Sequence, residues 1–221
     1  MRKPSLLPTL APEPTGLNPL ALAAAASLWM AAFANWPLWR ALSRLPEMAS
    51  LRGALFIACF GLMLALLLFA LLALLSFARS VKPAISVGLL SAAFGAPSMG
   101  GDGVVIDTTM LTNVLQTNLG EARDLLSLGL LASVLALAGV PALALWRLPV
   151  KRLPLHRQLW RNALVFGASS LAVVLLGLAS FADLSAAMRN HKSLRYLINP
   201  LNSFYALGVL GFQANARPSG P

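Results

Sequence analysis

Long apolar segments constrain this chain more than any other feature of its sequence. A helix needs ~20 mainly apolar residues to cross a bilayer, and hydrophobic residues make up 58% of the 221. Such segments run over about 19–39, 54–77, 81–96, 125–146 and 163–181. We therefore predict an all-α integral membrane protein, a five-helix transmembrane bundle with juxtamembrane amphipathic helices on its outer, periplasmic side.

Two of these segments depart from a simple span. The third is short and fades at Ala96 into a glycine-rich run typical of loops. It is either a short helix surrounded by other protein or a re-entrant segment. Pro141 falls inside the fourth segment and predicts a kink there, because proline removes a backbone N–H from the helix.

The loop between the fourth and fifth segments indicates the orientation. It contains several basic residues and no acidic one: Arg147, Lys151, Arg152, Arg157 and Arg161. By the positive-inside rule this loop is cytoplasmic. The N-terminus is then inside, with residues 1–18 as a disordered cytoplasmic tail, and the C-terminus is outside. The net charge of +10 is better explained by such loop cations near anionic lipid than by nucleic acid, which we do not expect as a partner.

Beyond the fifth segment, apolar residues such as Leu184 alternate with basic ones such as Arg189. This pattern is typical of an amphipathic helix on a membrane surface. We assign residues 183–207 to such a periplasmic helix, with a helix stop before Pro200. Residues 208–221 have the composition of a linker, so we expect the chain to lead into a further domain that is absent here.

The most informative polar pattern is formed by Asn113, Thr117 and Glu121. A spacing of four residues keeps three side chains on one face of a helix, with a drift of only ~80°. Four of the seven acidic residues lie in or beside this stretch. A polar stripe between membrane spans is a candidate for binding a lipid head group. A solvated helix face is the alternative, and spacing alone favours it. Nearby Asp107 is interpreted as a helix N-cap.

Two long motifs resemble a known family. They are G-V-V-I-D-T-T-M-L-T-N-V-L-Q-T-N-L-G-E-A-R-D-L, residues 103–125, and M-R-N-H-K-S-L-R-Y-L-I-N-P-L-N-S-F-Y-A-L, residues 188–207. Both are similar to the lipid A phosphoethanolamine transferases, which include the colistin-resistance enzymes of Gram-negative bacteria. The resemblance covers essentially the whole chain. It implies a five-helix membrane domain followed by a periplasmic, alkaline-phosphatase-like domain with zinc and a threonine nucleophile, of which this chain is the first part only.

The resemblance also implies a function. The full enzyme would move phosphoethanolamine from phosphatidylethanolamine to lipid A in the bacterial inner membrane, giving polymyxin resistance. Matching positions in the family help to hold the donor lipid, which makes Asn113, Thr117 and Glu121 the substrate-binding residues. The predicted partners are both lipids, the surrounding membrane lipids and the chain's own C-terminal domain. An acceptor sugar elsewhere in lipopolysaccharide and a non-enzymatic membrane carrier or scaffold are the alternatives.

The histidines support this division of labour. The chain has only two, His156 and His191, and the predicted topology puts them on opposite sides of the membrane. They cannot share a metal, whereas a zinc phosphoryl-transfer site needs several His, Asp or Glu ligands. We therefore predict no catalytic residues, no metal and no cofactor in this chain, zinc in the absent domain, and no activity from these residues alone.

Overall fold

The computed structural model describes residues 16–98, 128–190 and 198–200, and helices dominate these ranges. We number the α-helices in chain order, and two of them are continued by short π-helical segments, Met30–Ala34 and Leu135–Gly139. A 3₁₀ turn covers Pro46–Met48. The α-helices are α1 Pro19–Trp29, α2 Trp36–Ser43, α3 Leu51–Leu74, α4 Val81–Ser98, α5 Leu128–Val134, α6 Val140–Arg147, α7 Leu155–Ala179 and α8 Phe181–Asn190.

Two helices, α3 and α7, are long and apolar enough to cross a membrane on their own, and they pack along each other. Helix α1 with its π segment forms a third candidate span together with α2, bent by 51° at Asn35. The apolar stretches Val81–Ala93 and Leu131–Arg147 are shorter. The all-helical membrane class is confirmed, and the count of five spans stays a prediction.

Helix α7 begins at Leu155, well before the apolar segment predicted to start near residue 163. Pro154 precedes it as the N-cap residue, so the helix starts at the proline rather than at the first run of apolar residues. Its first turns carry Arg157 and Arg161 and extend the apolar core of the helix into a polar zone. Hydropathy alone therefore marks the membrane-embedded part of a helix and not its ends.

A π-helical segment lies directly before Pro141, and the kink predicted at this proline stays a prediction. The turn Leu135–Gly139 widens just before α6, which has Pro141 in its first turn. Proline has no N–H to donate to the carbonyl four residues earlier, which belongs to Leu137. The indole Nε1 of Trp29 donates to that carbonyl at 3.2 Å. A side chain of α1 thus replaces the lost backbone hydrogen bond.

At the break between α1 and α2, side chains also donate hydrogen bonds to backbone carbonyl oxygens. Its π segment leaves carbonyl oxygens without regular helical partners, and side chains supply the donors. Trp39 Nε1 donates to Ala31 O at 2.9 Å and to Ala32 O at 3.1 Å. Asn35 Nδ2 donates to Met30 O at 2.9 Å. The bend is therefore a specific hydrogen-bonded structure.

Two buried apolar clusters hold the described helices together. The main cluster joins α1, α3, α4 and the π segment before α6, and it includes Leu22, Met30, Leu68, Ile85, Leu89 and Ala138. A smaller cluster joins α2, α3 and α8 through Leu38, Leu42, Phe56, Phe60 and Ala187. Because α8 contributes Ala187 to a core, it is docked on the helical bundle as well as following α7. Residues 198–200 form a turn, so helix is seen in the range 183–207 only to Asn190 among the described residues.

Contacts at opposite ends of the bundle define two regions. At one end Leu17 pairs with Val150, through Leu17 N to Pro149 O and Lys151 N to Leu17 O, both 2.9 Å. We call this the basic end, because it carries Arg79, Lys82, Arg147, Lys151, Arg152, Arg157 and Arg161. At the other end the α1–α2 bend meets the turn 198–200, and we call this the junction end.

Candidate functional site

The predicted donor-site residues Asn113, Thr117 and Glu121 lie outside the described residues, as do Asp107 and His191. Helix α4 leads toward them, because it ends at Ser98 and the next described helix begins at Leu128. The part of the structure nearest to their attachment point is therefore the junction end, where α4 finishes. The junction end thus surrounds the last described residues before this stretch of the chain.

Two fully buried asparagines form the centre of the junction end. Asn35 and Asn199 are both 0% exposed. Asn35 Nδ2 donates to Asn199 O at 2.7 Å, and the backbone N–H of Asn199 donates to Asn35 Oδ1 at 2.8 Å. This reciprocal pair is the side-chain analogue of two strands exchanging hydrogen bonds. It ties the α1–α2 bend to a segment far along the chain.

The Asn199 side chain extends this network to α4. Its Nδ2 donates to Ala34 O at 3.2 Å and to Ala92 O at 2.5 Å. The amide lies against Gly95 so closely that a Cβ at that position would be 2.4 Å from Oδ1. Glycine is therefore required here for the close approach of a side chain. Asn199 Oδ1 is buried and accepts no hydrogen bond within the part of the chain that the structure describes.

A shallow cleft lies beside this network, between α8 and the start of α3. It has a volume of about 120 Å³ and is lined by Leu45, Glu47, Met48, Arg52, Phe56, Asp183 and Asn190, among others. Across it Arg52 Nη2 contacts Asp183 Oδ1 at 2.8 Å, and Nε donates to Oδ2 at 3.3 Å. The Arg52 side chain is 76% exposed and that of Asp183 34%. A pair this exposed adds little stability, and it links the first turn of α8 to the first turn of α3.

The described residues do not fit a metal site. No three His, Cys, Asp or Glu side chains come close enough to hold an ion within 16–98, 128–190 and 198–200. His156 lies at the basic end, in the first turn of α7. What the junction end can do is position neighbouring segments: it holds the end of α4, the α1–α2 bend and the turn 198–200 in one fixed arrangement.

The roles of Asn35, Asn199 and Trp29 were not predicted from the sequence. A weak signal was present for each asparagine, because one precedes W-P inside an apolar segment and the other precedes Pro200. A polar amide in an apolar run predicts a buried partner when it cannot reach water. The partner itself could not be named, since it lies 164 positions away along the chain.

Comparisons with known proteins agree with this geometry. Residues 63–212 match the family model described as phosphoethanolamine transferase EptA/EptB. Phosphatidylethanolamine transferase Mcr-1 of Escherichia coli is 30% identical over 206 residues, which are 93% of this chain and 38% of that protein. Phosphatidylethanolamine transferase Mcr-2 of the same species is 28% identical over the same shares of the two chains.

A solved structure shows the same fold. It is the integral membrane lipooligosaccharide phosphoethanolamine transferase A (EptA) from Neisseria meningitidis, with a TM-score of 0.80 at 23% identity, covering 91% of this chain and 37% of that one. The chain thus spans less than two fifths of the length of these proteins. The family model alone covers more than half of this sequence. The chain therefore belongs to the phosphoethanolamine transferase EptA/EptB family and corresponds to its N-terminal membrane domain.

Proposed function

We propose that this chain is the membrane domain of an enzyme that moves phosphoethanolamine from phosphatidylethanolamine to lipid A. The match over 93% of the chain to two phosphatidylethanolamine transferases is the observation that carries the proposal. The modified lipid A would carry an added ammonium beside its phosphates, which weakens the binding of cationic peptides. Expression of the full-length protein should therefore raise polymyxin resistance, and mass spectrometry of lipid A should show the added group.

The same mass spectrum tests the acceptor. Phosphoethanolamine on the lipid A phosphates supports the proposal as stated. Phosphoethanolamine on another lipopolysaccharide sugar would keep the reaction and change the acceptor. An unmodified lipopolysaccharide, with the protein present in the membrane, would refute the transferase function for this member of the family.

We propose five membrane passes in the inner membrane, with the N-terminus in the cytoplasm and the C-terminus in the periplasm. Leu17 meets Val150 at the basic end, whereas Asn35 meets Ala92 and Asn199 at the junction end. The basic end would face the cytoplasm under the positive-inside rule. A single cysteine at position 154, in a background that replaces Cys59, should resist an impermeant thiol reagent added outside. Labelling of this cysteine in intact cells would show that the orientation is the reverse of the one proposed.

For the donor head group we propose a site formed by Asn113, Thr117 and Glu121. The Glu121 carboxylate would accept hydrogen bonds from the ammonium, and the two neutral side chains would bind phosphate or glycerol oxygens. A hydrogen bond to a charged group contributes about 1.5–3 kcal/mol, which corresponds to roughly ten- to a hundredfold in donor affinity. This segment would follow the end of helix α4, which lies at the junction end.

Glu121→Ala in the full-length enzyme tests this site. It should abolish most polymyxin resistance at unchanged membrane expression, with smaller losses for Asn113→Ala and Thr117→Ala because each removes a neutral partner. Leu115→Ala, on the opposite face of the same predicted helix, is the matched control and should keep the donor requirement unchanged. Full resistance in Glu121→Ala would mean that the three residues form a solvated face.

The transfer chemistry itself is assigned to a separate catalytic domain, which we propose as the main protein partner of this chain. Its zinc would have no ligands among the described residues, in which no cluster of potential ligands occurs. We expect the purified 221-residue chain to show no transferase activity and to bind no stoichiometric zinc, because the proposed topology places its two histidines on opposite sides of the membrane. Metal analysis that finds about one tightly held zinc per chain would refute this division of labour.

A further inference from the structure

A second polar cavity lies at the basic end, far from the junction end. It has a volume of about 270 Å³ and opens between the link that follows α3 and the residues that lead into α7. Two guanidinium side chains, Arg79 and Arg152, line it together with Gln158 and the apolar side chains of Phe77, Leu153 and Leu155. It thus has a cationic part, one amide and an apolar wall.

Gln158 is held rigidly and has one unused hydrogen-bonding atom. The residue is 3% exposed. Its Nε2 donates to Ser76 O at 2.8 Å and to Asn162 Oδ1 at 2.7 Å. Since both partners are acceptors, the amide orientation is fixed with Oε1 as the remaining atom. Oε1 is buried and receives no hydrogen bond from any described residue, so Gln158 forms a fixed part of the cavity wall and its oxygen is not open to a ligand.

The charge around this cavity is of one sign. Both arginines are exposed, and they belong to the basic end, which carries several further cations. The acidic residues within the described part of the chain are Glu47 and Asp183, and both line the cleft at the junction end. The cavity therefore attracts an anion, and the structure shows no carboxylate on its wall that would compete for the guanidinium groups.

The depth of the cavity points to a lipid. Helix α3 ends at Leu74 and α7 begins at Leu155, so the cavity lies where two spanning helices leave the apolar zone. Trp146 and Trp160 are 58% and 68% exposed near the same end. Exposed tryptophan is typical of the head-group layer of a membrane. The cavity thus lies at the depth of the phosphate groups of membrane lipids.

We propose that this cavity is a binding site for a phospholipid head group, distinct from the donor site. The lipid phosphate binds between Arg79 and Arg152, which suit phosphate through their forked donors. The acyl chains remain in the bilayer and leave past Phe77 and Leu155.

The first test uses the full-length protein in detergent and native mass spectrometry to titrate phosphatidylglycerol. The double variant Arg79→Gln/Arg152→Gln should bind it roughly 30-fold more weakly, at about 1 kcal/mol per cation near lipid. Arg157→Gln/Arg161→Gln is the matched control, since it removes the same charge from α7 without touching the cavity wall. It should stay close to the parent. Equal weakening in both variants, or none in the first, would overturn the proposal.

A second arm separates a membrane lipid from a soluble phosphate ester. Glycerol 3-phosphate in large excess should leave bound phosphatidylglycerol in place, because it lacks the acyl chains that hold the lipid at this depth. Displacement of the lipid would show that the cavity serves a soluble phosphate ester and would overturn the lipid assignment. The donor-site variant Glu121→Ala should bind phosphatidylglycerol here like the parent, which keeps the two sites distinguishable.

Discussion

The substitution Asn35→Ala should destabilise the membrane domain more than its small size suggests. It removes the acceptor of the buried Asn199 N–H and the donor to the carbonyl oxygens of Met30 and Asn199. An orphaned buried donor costs about 1–3 kcal/mol and each lost neutral hydrogen bond about 0.5–1.5 kcal/mol. The expected loss in the free energy of unfolding is therefore about 2–6 kcal/mol.

Thermal unfolding of the purified protein in detergent measures this loss. For a chain of this size 1 kcal/mol corresponds to a shift of ~2–4 °C, so the midpoint should fall by at least about 4 °C. Ser43→Ala is the control, because its Oγ donates to Arg40 O at 3.1 Å on an exposed surface. Its midpoint should change by less than about 2 °C. If the unfolding midpoint of Asn35→Ala falls no further than that of Ser43→Ala, the asparagine pair does not stabilise the junction end.

Three further changes test other contacts, each by the same thermal assay. Gly95→Ala should lower stability by about 1–3 kcal/mol, because the new Cβ overlaps a buried amide; an unchanged midpoint would contradict the packing. Trp29→Phe should cost about 1 kcal/mol by releasing Leu137 O, and it should cost less in a Pro141→Ala background, which restores a backbone N–H. Equal costs in both backgrounds would show that proline does not create the need for the indole. Arg52→Gln should change stability by less than about 1 kcal/mol because its ion pair is exposed; a larger loss would give that pair a structural role.

The helical membrane class could be predicted because it depends on composition over long windows. Helices α3 and α7 are predominantly apolar in their central turns, and a helix satisfies the backbone of such a segment in lipid with hydrogen bonds inside the segment itself. The helix ends could not be predicted as well. Polar residues such as Gln158 belong to α7 although hydropathy excludes them, since helices continue into the head-group layer.

The long-range hydrogen bonds could not be predicted from sequence. Pro141 predicts a disturbed helix, but it does not reveal that the donor repairing it is Trp29, 108 positions away. Trp29 and Trp39 donate to freed carbonyls, and no sequence pattern marks either residue for this role. For the donor site the family motifs gave specific residues, Asn113, Thr117 and Glu121, and these remain predictions.

The pairing of Asn35 with Asn199 also sets the timing of biogenesis. The two residues are 164 positions apart, so during synthesis the amide in the first bent helix meets its partner only after nearly the whole domain has left the ribosome. Until then its polar atoms must find other partners, because lipid offers none. The hydrogen-bonded form of the α1–α2 bend is therefore complete only once the residues around Asn199 have been synthesised.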